Sequence, residues 1–114
     1  MSQENHSLYE GMYIISARLS DEARNKALAK ITDGITSHGG EIEKIHEMGR
    51  RRLAYDIEGH REGHYYVIYF KVDPSAVKEL WQDYHLSEDL IRFITLTVDE
   101  VKEKLEFTAL AEQK

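Results

Sequence analysis

The alternation of hydrophobic and polar positions along the chain predicts four strands and two helices. A period of two is typical of half-buried strands, and apolar residues three and four apart are typical of the buried side of a helix. The predicted strands cover residues 8–16, 41–59, 64–72 and 90–98, and the predicted helices follow Ser20 and cover residues 73–84. The element order is therefore β-α-β-β-α-β.

Both predicted helices carry start signals. Ser20 and Asp73 are residue types that cap helix N-termini, and Pro74 suits the first helical position after Asp73. The two glycines at residues 39–40 supply a stop for the first helix. The apolar residues expected to face a sheet are Ala27, Leu28, Ile31 and Ile35 in the first helix and Val77, Leu80, Trp81 and Tyr84 in the second.

The long strand over residues 41–59 carries an interruption in its pattern. Ile42 and Ile45 are out of phase with each other, and Gly49 is a candidate β-bulge. Residues 58–62 are turn-like and lead into the third strand, so the two strands should form a hairpin. The alternating residues expected on the buried face of the long strand are Leu53, Tyr55 and Ile57.

This element order, with right-handed crossovers, predicts an α+β ferredoxin-like fold, in which two helices cover one face of a four-stranded antiparallel sheet. Alternation places Tyr66, Ile68, Phe70 and Val72 towards the helices. The opposite face would expose an apolar set that favours cover by a partner or by RNA, or cover by the chain's own tail. The expected partner-binding residues are Tyr65, Val67, Tyr69, Ile91 and Phe93.

Length and composition favour one soluble domain. The chain has 114 residues, of which 41% are hydrophobic and 32% charged, with a formal net charge of −6. We expect a disordered N-terminus over residues 1–7, a folded domain over residues 8–98, and a charged tail with helical propensity over residues 99–114. The lack of cysteine, of a signal sequence and of a membrane span predicts a cytoplasmic protein.

No pattern in the sequence indicates catalysis, a metal or another cofactor. The serines lack a nucleophile-elbow context, and the Gly-Gly pair follows a helix, whereas a phosphate loop precedes one. His60 and His64 are four residues apart but fall in a hairpin, so this spacing does not place them on one face as it would in a helix. We therefore expect neither an enzyme nor a cofactor.

One segment is basic within this acidic chain. From Lys44 to Arg61 there are five positive and three negative residues, which makes the segment net +2. Arginine suits phosphate because its planar guanidinium makes paired hydrogen bonds, although a charged strand edge that discourages aggregation is an equal alternative. The expected RNA-binding residues in this segment are Arg50, Arg51, Arg52 and Arg61.

The orientation of the arginine triplet depends on the strand register. If the alternating apolar residues after the triplet face the helices, Arg50 and Arg52 share the opposite face of the sheet and Arg51 does not. A bulge at Gly49 would reverse this assignment, so all three arginines remain candidates.

The stretch GRRRLAYDI, residues 49–57, resembles the signature of the bacterial small-subunit ribosomal protein six family. That signature runs glycine, any residue, basic, polar or charged, leucine, small, tyrosine, any residue, isoleucine. The opening strand LYEGMYII and Arg92 in LIRFITLTV are similar to the family as well, so the resemblance covers residues 8–98 and adds Arg92 to the expected RNA-binding residues. The residues that match the signature are Gly49, Arg51, Arg52, Leu53, Ala54, Tyr55 and Ile57.

The resemblance implies a structural, non-enzymatic role in the small ribosomal subunit. Members of this family bind the central domain of small-subunit ribosomal RNA together with small-subunit ribosomal protein eighteen. The expected location is the cytoplasm, in association with ribosomes. Two alternatives stay open. One is a ferredoxin-like sensor or subunit that oligomerises through its open sheet face. The other is an RRM-like binder of single-stranded RNA, for which the stretch at residues 62–69 is only a partial match.

Overall fold

The computed structural model describes residues 6–103, which form the predicted ferredoxin-like fold. The four strands make one antiparallel sheet in the order β2-β3-β1-β4, so β2 and β4 are its edges. The predicted disordered N-terminus and the predicted helical tail fall mainly on residues 1–5 and 104–114, outside the described residues. The elements are β1 (Ser7–Ser16), α1 (Asp21–Ser37), β2 (Glu41–Ile57), β3 (His60–Val72), α2 (Pro74–Leu86) and β4 (Leu90–Thr97).

Both helices begin as predicted. The Ser20 hydroxyl accepts a hydrogen bond from the Ala23 backbone N–H at 3.1 Å, and the Asp73 carboxylate accepts one from the Ser75 N–H at 2.9 Å. Each cap satisfies a backbone donor that the first helical turn leaves without an intrahelical partner. No helix within residues 6–103 is long and apolar enough to cross a lipid bilayer.

The main core lies between the helices and one face of the sheet. It joins the predicted helix residues to the predicted face of β3, and at its centre the hydroxyls of Tyr13 and Tyr84 lie 3.1 Å apart. Trp81 is the exception among the predicted helix residues, because 41% of it is exposed. The buried members of this core are Tyr9, Tyr13, Ile15, Ala27, Ile31, Ile35, Tyr66, Ile68, Phe70, Val72, Ala76, Leu80 and Tyr84.

A second, smaller core covers the opposite face of the sheet at one end. Tyr65 lies at its centre with Ile14 and Leu53, and four partly buried residues surround them. Leu53 and Ile57 therefore face away from the helices, and the expectation that they face the helical core is wrong. The surrounding residues are Met12, Met48, Ile57 and Ile91.

The reversal originates in the second of three register shifts between β2 and β3. The register against β3 shifts between Ile42 and Lys44, which places both Ile42 and Ile45 on the helix-bearing face. It shifts again between Glu47 and Gly49, where Gly49 has a φ of +88°, as the predicted bulge requires. The inserted residue before Gly49 inverts the alternation counted from Ile45, so Leu53 lies on the face opposite the helices. A third shift lies between Arg52 and Ile57, before the hairpin turn.

The apolar side chains on the face opposite the helices are more buried than predicted. The exposed fractions of Tyr65, Val67 and Tyr69 are 0%, 2% and 0%, so the expectation that they form an open surface is wrong. For Tyr69 the reason lies in the chain after β4. That segment runs from the β4 edge to β2 at the opposite edge, where the carbonyl oxygen of Lys102 lies 2.8 Å from Nε2 of His46.

One further contact fixes the chain after β4, and two others hold Tyr69 in place. Lys44 Nζ lies 2.9 Å from Oε1 of Glu103, and the ring of His46 meets that of Tyr69 edge-on at 5.9 Å between centroids. The Tyr69 hydroxyl donates a 2.7 Å hydrogen bond to Glu10. The alternative in which the tail covers this face therefore applies at the Tyr69 end of the sheet.

Edge strand β4 also departs from simple alternation. Ile14 pairs with Arg92 and Ile15 with Leu90, which leaves Ile91 as an inserted residue. Beyond this bulge Phe93 packs against the helical core, so its assignment to the opposite face is wrong. Ile91 does lie on that opposite face, in the second core.

The hairpin between β2 and β3 closes in a two-residue turn and not in the predicted turn of residues 58–62. Glu58 and Gly59 have φ values of +50° and +85°, and Ile57 pairs with His60. Positive φ at both central residues is typical of a type I′ turn, whose twist matches that of paired strands. The tight turn extends β3 back to His60, which brings Arg61 into the strand.

Candidate nucleic-acid interface

All seven arginines of the chain lie at one end of the sheet. The strand register shows this directly, because Ser16 pairs with Gly63, Gly63 with Arg51, and Ile14 with Arg92. The β1–α1 loop and the first turn of α1 lie at this same end. We call this set the arginine-rich end; its members are Arg18, Arg24, Arg50, Arg51, Arg52, Arg61 and Arg92.

Arg50 and Arg52 share a face of β2, as the alternation predicts, but it is the helix-bearing face. They pair in the ladder with His64 and Glu62 respectively, and His64 is two residues before the core residue Tyr66. Arg50 Nε donates to Oε1 of Glu62 at 2.6 Å. Arg52 is exposed, and no carboxylate of residues 6–103 forms an ion pair with it.

Arg51 lies on the other face, above the second core. It is half-buried, and its Nε donates to the carbonyl oxygen of Met48 at 3.1 Å, a contact that holds the guanidinium beside the Gly49 bulge. The triplet therefore presents cations to both faces of one strand, and a nucleic acid lying along this edge could contact either.

Two arginines at this end were not predicted from the sequence. Arg18 donates to the carbonyl oxygen of Gly59 in the hairpin turn, and Arg24 Nη1 lies 2.9 Å from Oδ1 of Asp21. A surface cleft of about 430 Å³ lies between the β1–α1 loop and the hairpin, and Arg18, Arg50 and Arg61 line it. Three guanidinium groups around one cleft form a concave site that suits an anion.

Arg61 is the most loosely held arginine of this cleft. Its Nε lies 3.8 Å from Oδ2 of Asp56, and both side chains are largely exposed. An exposed pair at this distance contributes little to stability, because water screens it. Arg61 is therefore available to an incoming anion at little cost.

His64 reports the positive potential of the arginine-rich end. Its pKa is lowered from the ordinary value of 6.5, first by burial and then by the charges of Arg24 and Arg50. Nε2 of His64 lies 3.5 Å from Arg24 Nη1. The imidazole is therefore held neutral near pH 7, and a bound anion would relieve the effect.

Arg92 lies on the face opposite the helices and reaches across to Tyr55. Its Nη1 donates to the Tyr55 hydroxyl at 3.0 Å, and its guanidinium carbon lies 5.8 Å from the centre of the tyrosine ring. The expectation that Tyr55 is a core residue is wrong, because 60% of it is exposed. Arg92 forms no ion pair with a carboxylate of residues 6–103.

Ile91 and Phe93 contribute to a separate cleft of about 580 Å³ between α2 and the free edge of β4. Trp81 lies at its rim and donates from Nε1 to the Thr95 hydroxyl at 3.1 Å. The rings of Tyr84 and His85 meet Phe93 edge-on, at 5.1 Å and 5.0 Å between centroids. Of the predicted partner-binding residues, these two are the ones left partly exposed.

The predicted aromatic platform of an RRM-like binder is not accessible. Tyr65 and Tyr69 are fully buried, so a base cannot stack on either ring in this conformation.

Within residues 6–103, no group of three or more His, Asp or Glu side chains is arranged to hold a metal ion.

Comparison with known proteins agrees with the fold and the signature. A family model described as "Ribosomal protein S6" matches residues 8–97. The small ribosomal subunit protein bS6 of Protochlamydia amoebophila is 67% identical over 114 residues, which is all of both chains. The bS6 protein of Chlamydia pneumoniae is 59% identical over 112 residues, which is 98% of this chain and 100% of that protein.

A solved structure is similar over most of the chain. The crystal structure of 30S ribosomal protein S6 from Thermotoga maritima superposes with a TM-score of 0.78 at 33% identity, over 82% of this chain and 88% of that one. The sequence resemblance is thereby confirmed. The signature strand, the sheet topology and these relatives lead to one assignment: the chain belongs to the ribosomal protein S6 family of the small ribosomal subunit.

Proposed function

We propose that this protein binds the central domain of small-subunit ribosomal RNA through its arginine-rich end, jointly with small-subunit ribosomal protein eighteen, as a structural, non-catalytic component of cytoplasmic ribosomes. The observation that carries the proposal is the segregation of all seven arginines to one end of a chain with net charge −6. A local cluster of guanidinium groups fits a small number of phosphate contacts.

The contacts within the arginine-rich end indicate which arginines can bind phosphate directly and which already have another partner. Arg52 and Arg61 are exposed and held weakly or not at all by described carboxylates, so they can meet phosphate at little cost. Arg50 must first leave Glu62, and Arg18 is already oriented by the carbonyl oxygen of Gly59. The cleft that Arg18, Arg50 and Arg61 line is the expected position of one phosphate group.

The net charge of the chain is the reason for a joint mode of binding. Affinity for RNA rises with the number of phosphates neutralised, and a protein of net charge −6 repels RNA everywhere except at its basic end. A basic partner supplies the remaining charge. The partly exposed apolar residues Ile91 and Phe93, in the cleft beside the free edge of β4, are the surface that we assign to that partner.

Family membership supports this ribosomal role over a metabolite sensor. Burial of the aromatic residues on β3 speaks against an RRM-like mode of binding as well. RNA contact at the arginine-rich end, as the sequence predicts, is therefore favoured over contact through the aromatic residues of the sheet face.

The test measures affinity for a central-domain RNA fragment with and without the partner protein. Arg50→Ala combined with Arg52→Ala should weaken binding roughly 10-fold or more, because charge-assisted hydrogen bonds are lost. The matched control is Lys71→Ala combined with Lys78→Ala, which removes two exposed positive charges away from the arginine-rich end.

Two outcomes would contradict the proposal. One is binding that the partner does not strengthen. The other is equal weakening by the arginine pair and the lysine pair, since that would mean net charge matters and its position does not.

A further inference from the structure

Tyr55 joins the two edges of the sheet to each other. It extends from the end of β2, whereas Arg92 belongs to β4, and two further strands lie between them in the sheet. The 3.0 Å hydrogen bond between the two side chains therefore crosses the sheet face. A long-range contact of this kind fixes the position of an aromatic ring that is otherwise largely exposed.

The exposed ring has no packing role that would explain it. With 60% of its surface accessible, Tyr55 is among the most exposed large side chains of the described residues, although it stands beside the buried Leu53. The second core closes around Leu53, Tyr65 and Ile14 beneath it, and these residues form the floor of a small hollow under the ring. The floor supports the ring and leaves it accessible.

The charges around the ring point to the ligand. Arg92 contacts the ring itself, and Arg51 lies on the same sheet face, two residues before Leu53 of the second core. An exposed aromatic ring with guanidinium groups beside it matches one nucleotide of a single strand, with the base on the ring and its phosphate on the cation. A paired helix would present its phosphates but no free base face.

We infer that Tyr55, positioned by Arg92, is a stacking site for an unpaired RNA base. This inference rests on the proposed RNA binding and adds a ligand class to it: an unpaired nucleotide, in addition to phosphates of the backbone. Arg92 is the positioning residue, because its hydrogen bond to the hydroxyl restricts rotation of the tyrosine ring, and its charge faces the nucleotide's phosphate.

The experiment compares Tyr55→Ala and Tyr55→Phe in binding to the central-domain RNA fragment with the partner protein present. Loss of one stacked base should weaken binding by about 5- to 100-fold for the alanine variant. The phenylalanine variant keeps the ring and should stay within about 3-fold of the unchanged protein. Ile45→Ala, which removes another partly exposed apolar side chain of β2 on the helix-bearing face, is the matched control.

The salt dependence of the same binding separates stacking from charge. Tyr55→Ala should leave the slope of log affinity against log salt unchanged, whereas Arg92→Ala should make it shallower by about one. Thermal unfolding of each variant checks that the fold is intact, which the exposure of Tyr55 leads us to expect.

Three results would overturn the inference while leaving the proposed function standing. They are an affinity of Tyr55→Ala within 2-fold of the unchanged protein, an equal loss for the phenylalanine variant, and a loss of partner binding measured without RNA. The last result would assign the ring to a protein contact. Failure of the unchanged protein to bind RNA with its partner would instead contradict the proposed function itself.

Discussion

Arg50 and Glu62 face each other across the hairpin, with Nε of the arginine 2.6 Å from Oε1 of the carboxylate. The next arginine in the same row, Arg52, pairs with Glu62 in the ladder but has no ion-pair partner among residues 6–103. Glu62 thus holds the guanidinium of Arg50, which lines the cleft, and leaves Arg52 available. RNA that binds here must compete with Glu62.

Glu62→Gln should therefore strengthen RNA binding. The substitution keeps the shape of the side chain and removes the charge that competes with phosphate for Arg50. Exposed ion pairs are worth about 0.2–1 kcal/mol, so we expect an affinity gain of about 1.5- to 5-fold in the presence of the partner. Competition filter binding would measure the change.

Glu79→Gln is the matched control, since it removes a carboxylate on α2 that contacts no arginine among the described residues. A gain of the same size in this variant would mean that net charge alone is responsible. Weaker binding by Glu62→Gln would show that the Arg50–Glu62 pair is needed to hold Arg50 in position.

Truncating a side chain of the second core, on the face opposite the helices, should destabilise the fold. Leu53 is 7% exposed, and its truncation to alanine would leave a cavity beside Tyr65 and Ile14. We expect Leu53→Ala to lower the free energy of unfolding by about 2–3 kcal/mol, measured by urea denaturation. Tyr55→Ala, two residues along the same strand, should cost less than about 1 kcal/mol because the ring is largely exposed. Equal costs for the two variants would contradict the assigned orientation of β2.

His38 joins α1 to α2 through contacts that should depend on pH. Its Nδ1 lies 2.8 Å from the carbonyl oxygen of Gly34 on α1, and its Nε2 lies 3.0 Å from Oε1 of Glu79 on α2. Both neighbours are acceptors, so only the doubly protonated ring donates to both. The Gly34 carbonyl, and after it the Glu79 charge, raise the pKa of His38 above its ordinary value of 6.5, against a lowering by burial.

A raised pKa in the folded state stabilises the fold at low pH. The contribution is complete below the ordinary pKa of 6.5 and is lost as the pH rises through the folded-state pKa. His38→Gln should therefore lower the free energy of unfolding more at pH 5.5 than at pH 8, by up to about 1 kcal/mol. Denaturation at the two pH values would measure it, and an equal cost at both would contradict the prediction.

His64 acts in the opposite direction and must be separated from this effect. Burial and the charges of Arg24 and Arg50 lower its pKa, so its protonated form is disfavoured in the folded state and stability falls as the pH drops below 6.5. The pH profile of the unchanged protein combines both histidines. The His38 effect is read from the difference between that profile and the profile of His38→Gln.

The fold was predictable because each element carries local signals that agree with one another. Ser20, Asp73 and Pro74 mark the helix starts, and the period-two pattern of β3 fixes which of its residues face the helices. These signals act over a few residues, so a single sequence contains them. The same holds for Gly49, whose lack of a β-carbon permits the positive φ of the bulge.

The faces of β2 and β4 were not predictable from alternation alone. The register of β2 shifts three times against β3 and that of β4 once against β1, and the positions of these shifts depend on how each strand pairs with its neighbour. As a result Leu53 and Phe93 were assigned to the wrong faces. The turn between β2 and β3 was predicted in the right part of the chain, but its length was overestimated, because Glu-Gly is not among the residue pairs typical of a type I′ turn.

The candidate site was predictable in part. The arginine triplet stands out in the sequence, whereas Arg18 and Arg24 look isolated there. They join the cluster because the antiparallel order places the end of β1 beside the hairpin turn, as the contact between Arg18 and Gly59 illustrates. Applying the predicted topology to every arginine would have found them. The Tyr55–Arg92 contact required side-chain positions, because the two residues lie on opposite edges of the sheet.

The salt dependence of RNA binding tests the role of the arginine-rich end most directly. The slope of log affinity against log salt should become shallower by about two in the protein with Arg50→Ala and Arg52→Ala, measured with the partner and the central-domain RNA. The protein with Lys71→Ala and Lys78→Ala should keep the slope of the unchanged protein. An unchanged slope in the arginine variant would contradict the claim that these arginines neutralise RNA phosphates.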